Sequence, residues 1–169
     1  MKTLILVRHA KADPPQQGLP DHDRLLNERG RQDAPEMGRR LAQQGVRPDL
    51  VITSTATRAR STAQLLAAEL GIGAGAVRED KRLYASAAGK LLYIIQEQED
   101  DRDCLMLVGH NPEMSELARH FSRDLPEMPT AAVARVDFDI ASWALVGSAT
   151  PVAASLDFPK KGQGRDSED

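Results

Sequence analysis

Three places in the sequence put side chains suited to phosphate chemistry just after short apolar runs. Thr3-Leu4-Ile5-Leu6-Val7 is followed by Arg8-His9, Leu50 to Thr53 leads through Ser54-Thr55-Ala56-Thr57 to Arg58, and Cys104 to Val108 ends in Gly109-His110. One histidine after a strand is ordinarily a capping residue, but two arginines and two histidines on one rim form a joint pattern. Guanidinium forks match phosphoryl oxygens and stay charged. A neutral imidazole whose first ring nitrogen is held by an acceptor offers the second as a nucleophile. The same set makes a poor metal site, because zinc needs three or four His, Cys or carboxylate ligands and fixed cations repel it. Neither the Walker pattern nor the dinucleotide fingerprint follows the first run, and Gly71-Ile72-Gly73-Ala74-Gly75 follows a helical pattern and reads as a turn.

The elements that must position these residues are legible in the periodicity. Continuous Val, Ile and Leu runs suit parallel strands covered on both faces. Ala34, Met37, Leu41 and Ala42 recur at helical spacing up to Gly45, and Ala59, Ala63, Leu66, Ala67 and Leu70 do so up to Gly71. Pro35 fits a helix interior poorly, so the first helix is expected to start near Asp33 or to bend there. A third helix is expected after Ser86 as N-cap, with Leu91, Leu92 and Ile95 inward. A fourth is expected after Asn111 as N-cap and Pro112, burying Met114, Leu117, Ala118 and Phe121. Ala132 to Phe138 and Pro151 to Phe158 look like added strands whose order is not readable. Strand and helix alternate, so the fold class is α/β, and ligands are expected beyond the carboxyl ends of the strands.

Composition narrows the function classes. The chain has 169 residues and a formal net charge of −3, which gives no general attraction to nucleic acid or anionic lipid. No apolar stretch reaches the roughly 20 residues of a membrane span, and no signal peptide is recognisable. The single Cys104 cannot form an internal disulfide and reads as a buried, inert thiol. A cytoplasmic location is the default. One domain is expected over residues 1–160, with a disordered tail at 161–169. Glu97 to Asp103 reads as a solvated helix end, His22 and His120 as exposed or capping residues, Ser54 and Thr57 as caps of the second helix, and Trp143 as a packing anchor.

Leu6-Val7-Arg8-His9-Ala10, with Arg58 after Ser54 and Gly109-His110-Asn111-Pro112, resembles the histidine phosphatase (phosphoglycerate mutase-like) superfamily. Arg8-His9-Ala10-Lys11-Ala12, Asp21-His22-Asp23-Arg24-Leu25-Leu26 and Glu28-Arg29-Gly30 resemble its SixA-type phosphohistidine phosphatases, and the likeness runs from about Lys2 to Lys160. The resemblance implies a three-layer α/β/α fold with a mostly parallel central sheet and no metal or organic cofactor. It implies His9 as the nucleophile, with Arg8, Arg58 and His110 around the phosphoryl group. Asp21 is the implied proton donor and Arg24 completes the anion site, with Asp23, two residues away, as the alternative donor. Larger relatives carry a glutamate donor after the third strand, and Arg82-Leu83-Tyr84-Ala85-Ser86 has no obvious equivalent.

The function so implied is a phosphatase working through phosphohistidine on His9 and acting on protein phosphohistidine, its partner being a phosphohistidine carrier domain. The rivals are a small-molecule phosphomonoesterase, a mutase with a more enclosed site, and a non-catalytic phosphate-binding domain. A short strand and one helix nearly fill the stretch between Gly71 and Cys104, so no lid is expected and the pocket should be open.

Overall fold

The structure, a computed structural model, describes residues 1–159, and the expected disordered tail lies outside the described residues. Six strands form one sheet: β1 (Lys2–Arg8), β2 (Leu50–Thr53), β3 (Val77–Glu79), β4 (Cys104–Gly109), β5 (Val133–Phe138) and β6 (Ala153–Asp157), in the order β3-β2-β4-β1-β5-β6. β3, β2, β4 and β1 run parallel, while β5 is antiparallel to β1 and β6 antiparallel to β5. The later strands thus extend the sheet beyond β1. This order rests on long-range pairing that local periodicity cannot encode.

The two-residue period of a strand divides β1 between two cores. Leu4 and Leu6 join one, with Leu91, Ile94 and Ile95 of α3 (Ala88–Gln96) and Met114, Leu117 and Phe121 of α4 (Glu113–Phe121). Ile5 and Val7 join the other, with Met37 and Leu41 of α1 (Glu28–Gln43) and Ala63 and Leu66 of α2 (Thr57–Leu70). Two helix layers therefore enclose a mixed sheet, the three-layer arrangement expected. Trp143 is fully buried against α3 and α4 and donates its indole N–H to the Arg102 carbonyl, a packing anchor as expected.

Three helix starts differ from expectation, and a side-chain hydrogen bond explains the first. α1 begins at Glu28, well before Asp33, because the Asn27 side chain accepts from the Gly30 N–H at 2.8 Å, and Pro35 lies inside the helix. α3 begins at Ala88 with Ala87 at the N-cap and no side-chain cap, and the Ser86 N–H donates to Glu113 at 3.2 Å. Leu92 is only partly buried, and Ile94 takes the inward place beside Leu91 and Ile95. α4 begins at Glu113, with Pro112 at the N-cap after a cis peptide bond from Asn111. Asn111 still serves the helix start, accepting from the Ser115 N–H and hydroxyl at 3.1 and 2.8 Å. α2 ends as expected at Gly71, whose φ of 69° is left-handed.

Candidate active site

Strand ends deliver the first two side chains. Arg8 is the last residue of β1 and pairs in register with Gly109, the last residue of β4, so His9 and His110 leave neighbouring strands side by side. The His9 N–H donates to the Gly109 carbonyl at 2.9 Å, and the two imidazole centroids lie 5.1 Å apart. Arg58 comes from the first turn of α2, and its side chain is buried beneath the loop that carries Asp21.

A second set of contacts fixes the loop after β1. Ala12 and Leu26 form an isolated antiparallel bridge, and Asn27 donates its N–H to the Lys11 carbonyl at 3.0 Å. Gly30 is required there, since a β-carbon would stand 2.1 Å from the Lys11 carbonyl oxygen. Thr62 on α2 ties this loop to the arginine: its hydroxyl accepts from the Ala10 N–H at 2.9 Å and donates to the Arg58 carbonyl at 2.7 Å.

Arg8, His9, Ala12, Arg24, Arg58, His110 and Asn111 line a pocket of about 220 Å³. His9 Nδ1 lies 2.7 Å from the Ala10 carbonyl oxygen, an acceptor only, so Nδ1 carries the proton and Nε2 keeps its lone pair. Burial, then the neighbouring His110 imidazole and the Arg8 and Arg58 guanidiniums, hold the His9 pKa well below 6.5, against the pull of the Ala10 carbonyl. Burial and then Arg58 lower His110 to about 4.

Ser54 orients His110 from below. The Ser54 hydroxyl accepts from the Ala56 N–H at 3.2 Å and bonds His110 Nε2 at 2.8 Å, which fixes the orientation of the ring. His110 Nδ1 is buried without a hydrogen-bond partner among the described residues, as is Arg58 Nε. Buried polar atoms of this kind are costly unless something pairs with them. The pocket thus sets the His9 Nε2 lone pair among guanidinium donors, the complement of a phosphoryl group. No cluster of metal-ligating side chains is present among the described residues.

Asp21 lies at the pocket mouth with a half-exposed side chain. It accepts from Arg58 at 3.0 Å, from Arg24 at 3.0 Å and from the Tyr84 hydroxyl at 2.7 Å. Partial desolvation pushes its carboxyl up, but the bonds from Tyr84 and Arg58, the Arg58 charge and the Arg24 bond outweigh it, and the group is held far below the ordinary carboxylate range. Arg24 also donates to the Asp13 carbonyl at 2.8 Å. Arg8 donates to the Met128 carbonyl at 3.1 Å.

The structure therefore brings His9, Arg8, Arg58, His110, Asp21 and Arg24 together. Asp23 is turned away, 3.5 Å from His22 Nδ1, so Asp21 is the acid beside Arg58. His22 holds Thr55 Oγ1 at 2.8 Å. Sequence reasoning missed Tyr84, which packs edge-on against both His110 and His22, and gave Ser54 the wrong partner. No local pattern marks Tyr84. The proximity of Ser54 to the strand end shared with His110 was the available signal for its role.

Comparison with known proteins places the chain in a family and a fold. The model of the histidine phosphatase superfamily (branch 1) matches residues 4–103, more than half of the chain, and the chain belongs to that superfamily. Within it, the chain is similar over most of its length to a protein assigned as SixA from Agrobacterium tumefaciens, with a TM-score of 0.77, 30% identity, and coverage of 91% of this chain and 97% of the other. An uncharacterized protein of Mycobacterium tuberculosis is 42% identical over 112 residues, covering 66% of this chain and 67% of its own. The protein histidine phosphatase SixA solved with tungstate shares the fold with a TM-score of 0.79 at 19% identity, covering 95% of this chain and 99% of that one.

Proposed function

We propose that the chain is a phosphohistidine phosphatase in which His9 Nε2 takes the phosphoryl group and water then releases it. The observation that carries this reading is the 2.7 Å contact of His9 Nδ1 with the Ala10 carbonyl, which aims a neutral, unprotonated nitrogen into a pocket of guanidinium donors. Phosphoryl transfer asks for in-line positioning and charge stabilisation more than for bond-making groups. Arg8, Arg24, Arg58 and His110 supply that stabilisation, aimed at the equatorial oxygens where charge collects.

Asp21 has two parts in this scheme. A bound phosphoryl dianion draws Arg58 and Arg24 toward itself, so the carboxyl loses the bonds that keep it ionised and becomes able to protonate an oxygen leaving group. In the second step the carboxylate accepts a proton from the attacking water.

The likeness to SixA supports a protein-borne phosphohistidine as substrate, and so does the short connection from Gly71 to Cys104, which holds β3 and α3 with 3₁₀ turns and no long cover. A cytoplasmic location belongs to the same proposal. Among the described residues no helix is long and apolar enough to cross a membrane, and Cys104 is a free thiol pushed up to about 12 by burial.

The test is chemical. Quenching during turnover should trap label on His9 that is lost in acid and survives alkali, and His9→Ala should lose nearly all activity with an unchanged Tm. More than roughly a hundredth of the wild-type rate in that variant, against the ~10⁶-fold scale of enzymatic acceleration, would exclude the covalent route. A kcat/KM at least tenfold higher for a phosphohistidine-bearing protein than for 3-phosphoglycerate, about 1.4 kcal/mol, is expected. Equal turnover of the small phosphate would favour the small-molecule reading and leave the His9 mechanism standing.

A further inference from the structure

A second cavity of about 320 Å³ opens beside the phosphoryl pocket and shares Arg58, His110 and Asn111 with it. Its remaining wall is Asp21, Tyr84, Ala85, Ser86, Pro112 and Glu113. Two groups in this wall have no part in the scheme above. Glu113 is only 4% exposed, and its Oε2 accepts one 3.2 Å bond, from the Ser86 backbone N–H. The Ser86 hydroxyl is buried with no hydrogen-bond partner among the described residues.

A buried carboxylate with a single long bond is an expensive feature, since ionised groups are kept from water only where donors satisfy them. Glu113 stands in the first turn of α4, where the helix dipole favours its charge. Its carboxyl group lines, beside Ser86, a cavity that shares Arg58 and His110 with the phosphoryl pocket. With the phosphoryl oxygens among Arg8, Arg24 and Arg58, this adjoining cavity is the space open to the leaving group.

We propose that Glu113, with Ser86, is the specificity-determining acceptor for a leaving group that carries an N–H remote from the bond that breaks, the protonated imidazole ring of a phosphohistidine. This rests on the phosphohistidine reading above and adds how the site tells nitrogen-linked from oxygen-linked phosphoryl groups. Accepting the remote N–H favours the form of the ring protonated there. His9 Nε2 then bonds to phosphorus while the bond from phosphorus to the substrate nitrogen breaks, and its electron pair stays on that nitrogen. The ring departs as neutral imidazole, still carrying the remote N–H, and no proton from Asp21 is needed. This accounts for a site whose Asp21 is held so firmly as a carboxylate by Tyr84, Arg58 and Arg24.

The experiment compares kcat/KM for phosphoimidazole and for p-nitrophenyl phosphate in wild type, Glu113→Gln and Ser86→Ala, each checked for Tm. Glutamine keeps the oxygen that receives the Ser86 N–H but loses the charge. We expect the phosphoimidazole to p-nitrophenyl phosphate ratio to fall at least tenfold in Glu113→Gln and about threefold in Ser86→Ala. Equal losses on both substrates would reduce Glu113 to a clasp for the loop at Ser86 and overturn the inference, and so would an unchanged ratio in both variants. A wild type that cleaves the aryl phosphate through labelled His9 but ignores phosphoimidazole also overturns it, leaving a phosphatase. Absence of label on His9 removes instead the mechanism on which it rests.

Discussion

Arg58 meets Asp21 twice, donating Nη1 to its backbone carbonyl at 2.7 Å and Nη2 to its carboxylate at 3.0 Å. One guanidinium thus both shapes the loop at the pocket mouth and waits on the anion. Lysine has one ammonium and cannot do both. Arg58→Lys should raise the barrier by about 2 to 4 kcal/mol, the scale of a removed oxyanion donor, read as kcat/KM on an aryl phosphate. An unchanged rate would mean that the phosphoryl group binds without Arg58.

Asp21→Asn should slow substrates with poor oxygen leaving groups far more than aryl phosphates, while Asp23→Asn should not. Removing the carboxylate also removes a competitor for Arg58 and Arg24, so inorganic phosphate should inhibit the variant at lower concentration. The pH dependence of stability follows from its depressed pKa. The unfolded chain binds this proton near pH 4 and the folded chain only at much lower pH, so the Asp21 contribution is complete above about 4 and fades as pH falls further. The Tm difference between wild type and Asp21→Asn should accordingly shrink below that point.

Both pocket histidines are held neutral, His9 well below 6.5 and His110 near about 4. Between those values and about 6.5 the unfolded chain binds more protons than the folded one, so stability should drop as pH falls from about 6.5 toward 4. His110→Gln should flatten part of that decline in a Tm series. The acid limb of kcat/KM should likewise lie well below 6.5, and a limb at 6.5 or above would show that the imidazoles are solvated.

Gly30→Ala would drive a methyl into the Lys11 carbonyl, 2.1 Å from the ideal β-carbon position, and backbone cannot yield as a side chain does. A loss of about 1 to 3 kcal/mol is expected, measured by urea unfolding. Because the same loop presents the Ala10 carbonyl to His9, kcat should fall as well. A stable variant with normal activity would show that α1 can retreat without disturbing the nucleophile.

The parts of the site that sit on strand ends were legible because apolar runs, glycine caps and the residues just beyond them are all local signals. Arg8, His9, Arg58 and His110 were found in this way. Tyr84 was not, since its partners Asp21, His22 and His110 are brought to it by the sheet and not by spacing. Ser86 and Ser54 were both read as helix caps, a correct preference for their type, yet Ser54 serves His110 and the Ser86 N–H serves Glu113. Pro35 misled the start of α1 because the Asn27 cap and the packing of Met37 and Leu41 outweigh one lost backbone bond.

The pairing of Arg8 with Gly109 makes the sheet a ruler for the chemistry. The imidazole centroids are 5.1 Å apart, close to the ~4.8 Å that separates any two neighbouring strands. That interval comes in fixed steps. Sliding β1 by one residue turns every side chain to the opposite face, and sliding it by two moves His9 roughly 7 Å, so no small adjustment of the ladder is available. On the proposed reading, differences in substrate would be written in the loops at Asp21, Tyr84 and Glu113, while the gap between His9 and His110 is set by backbone geometry.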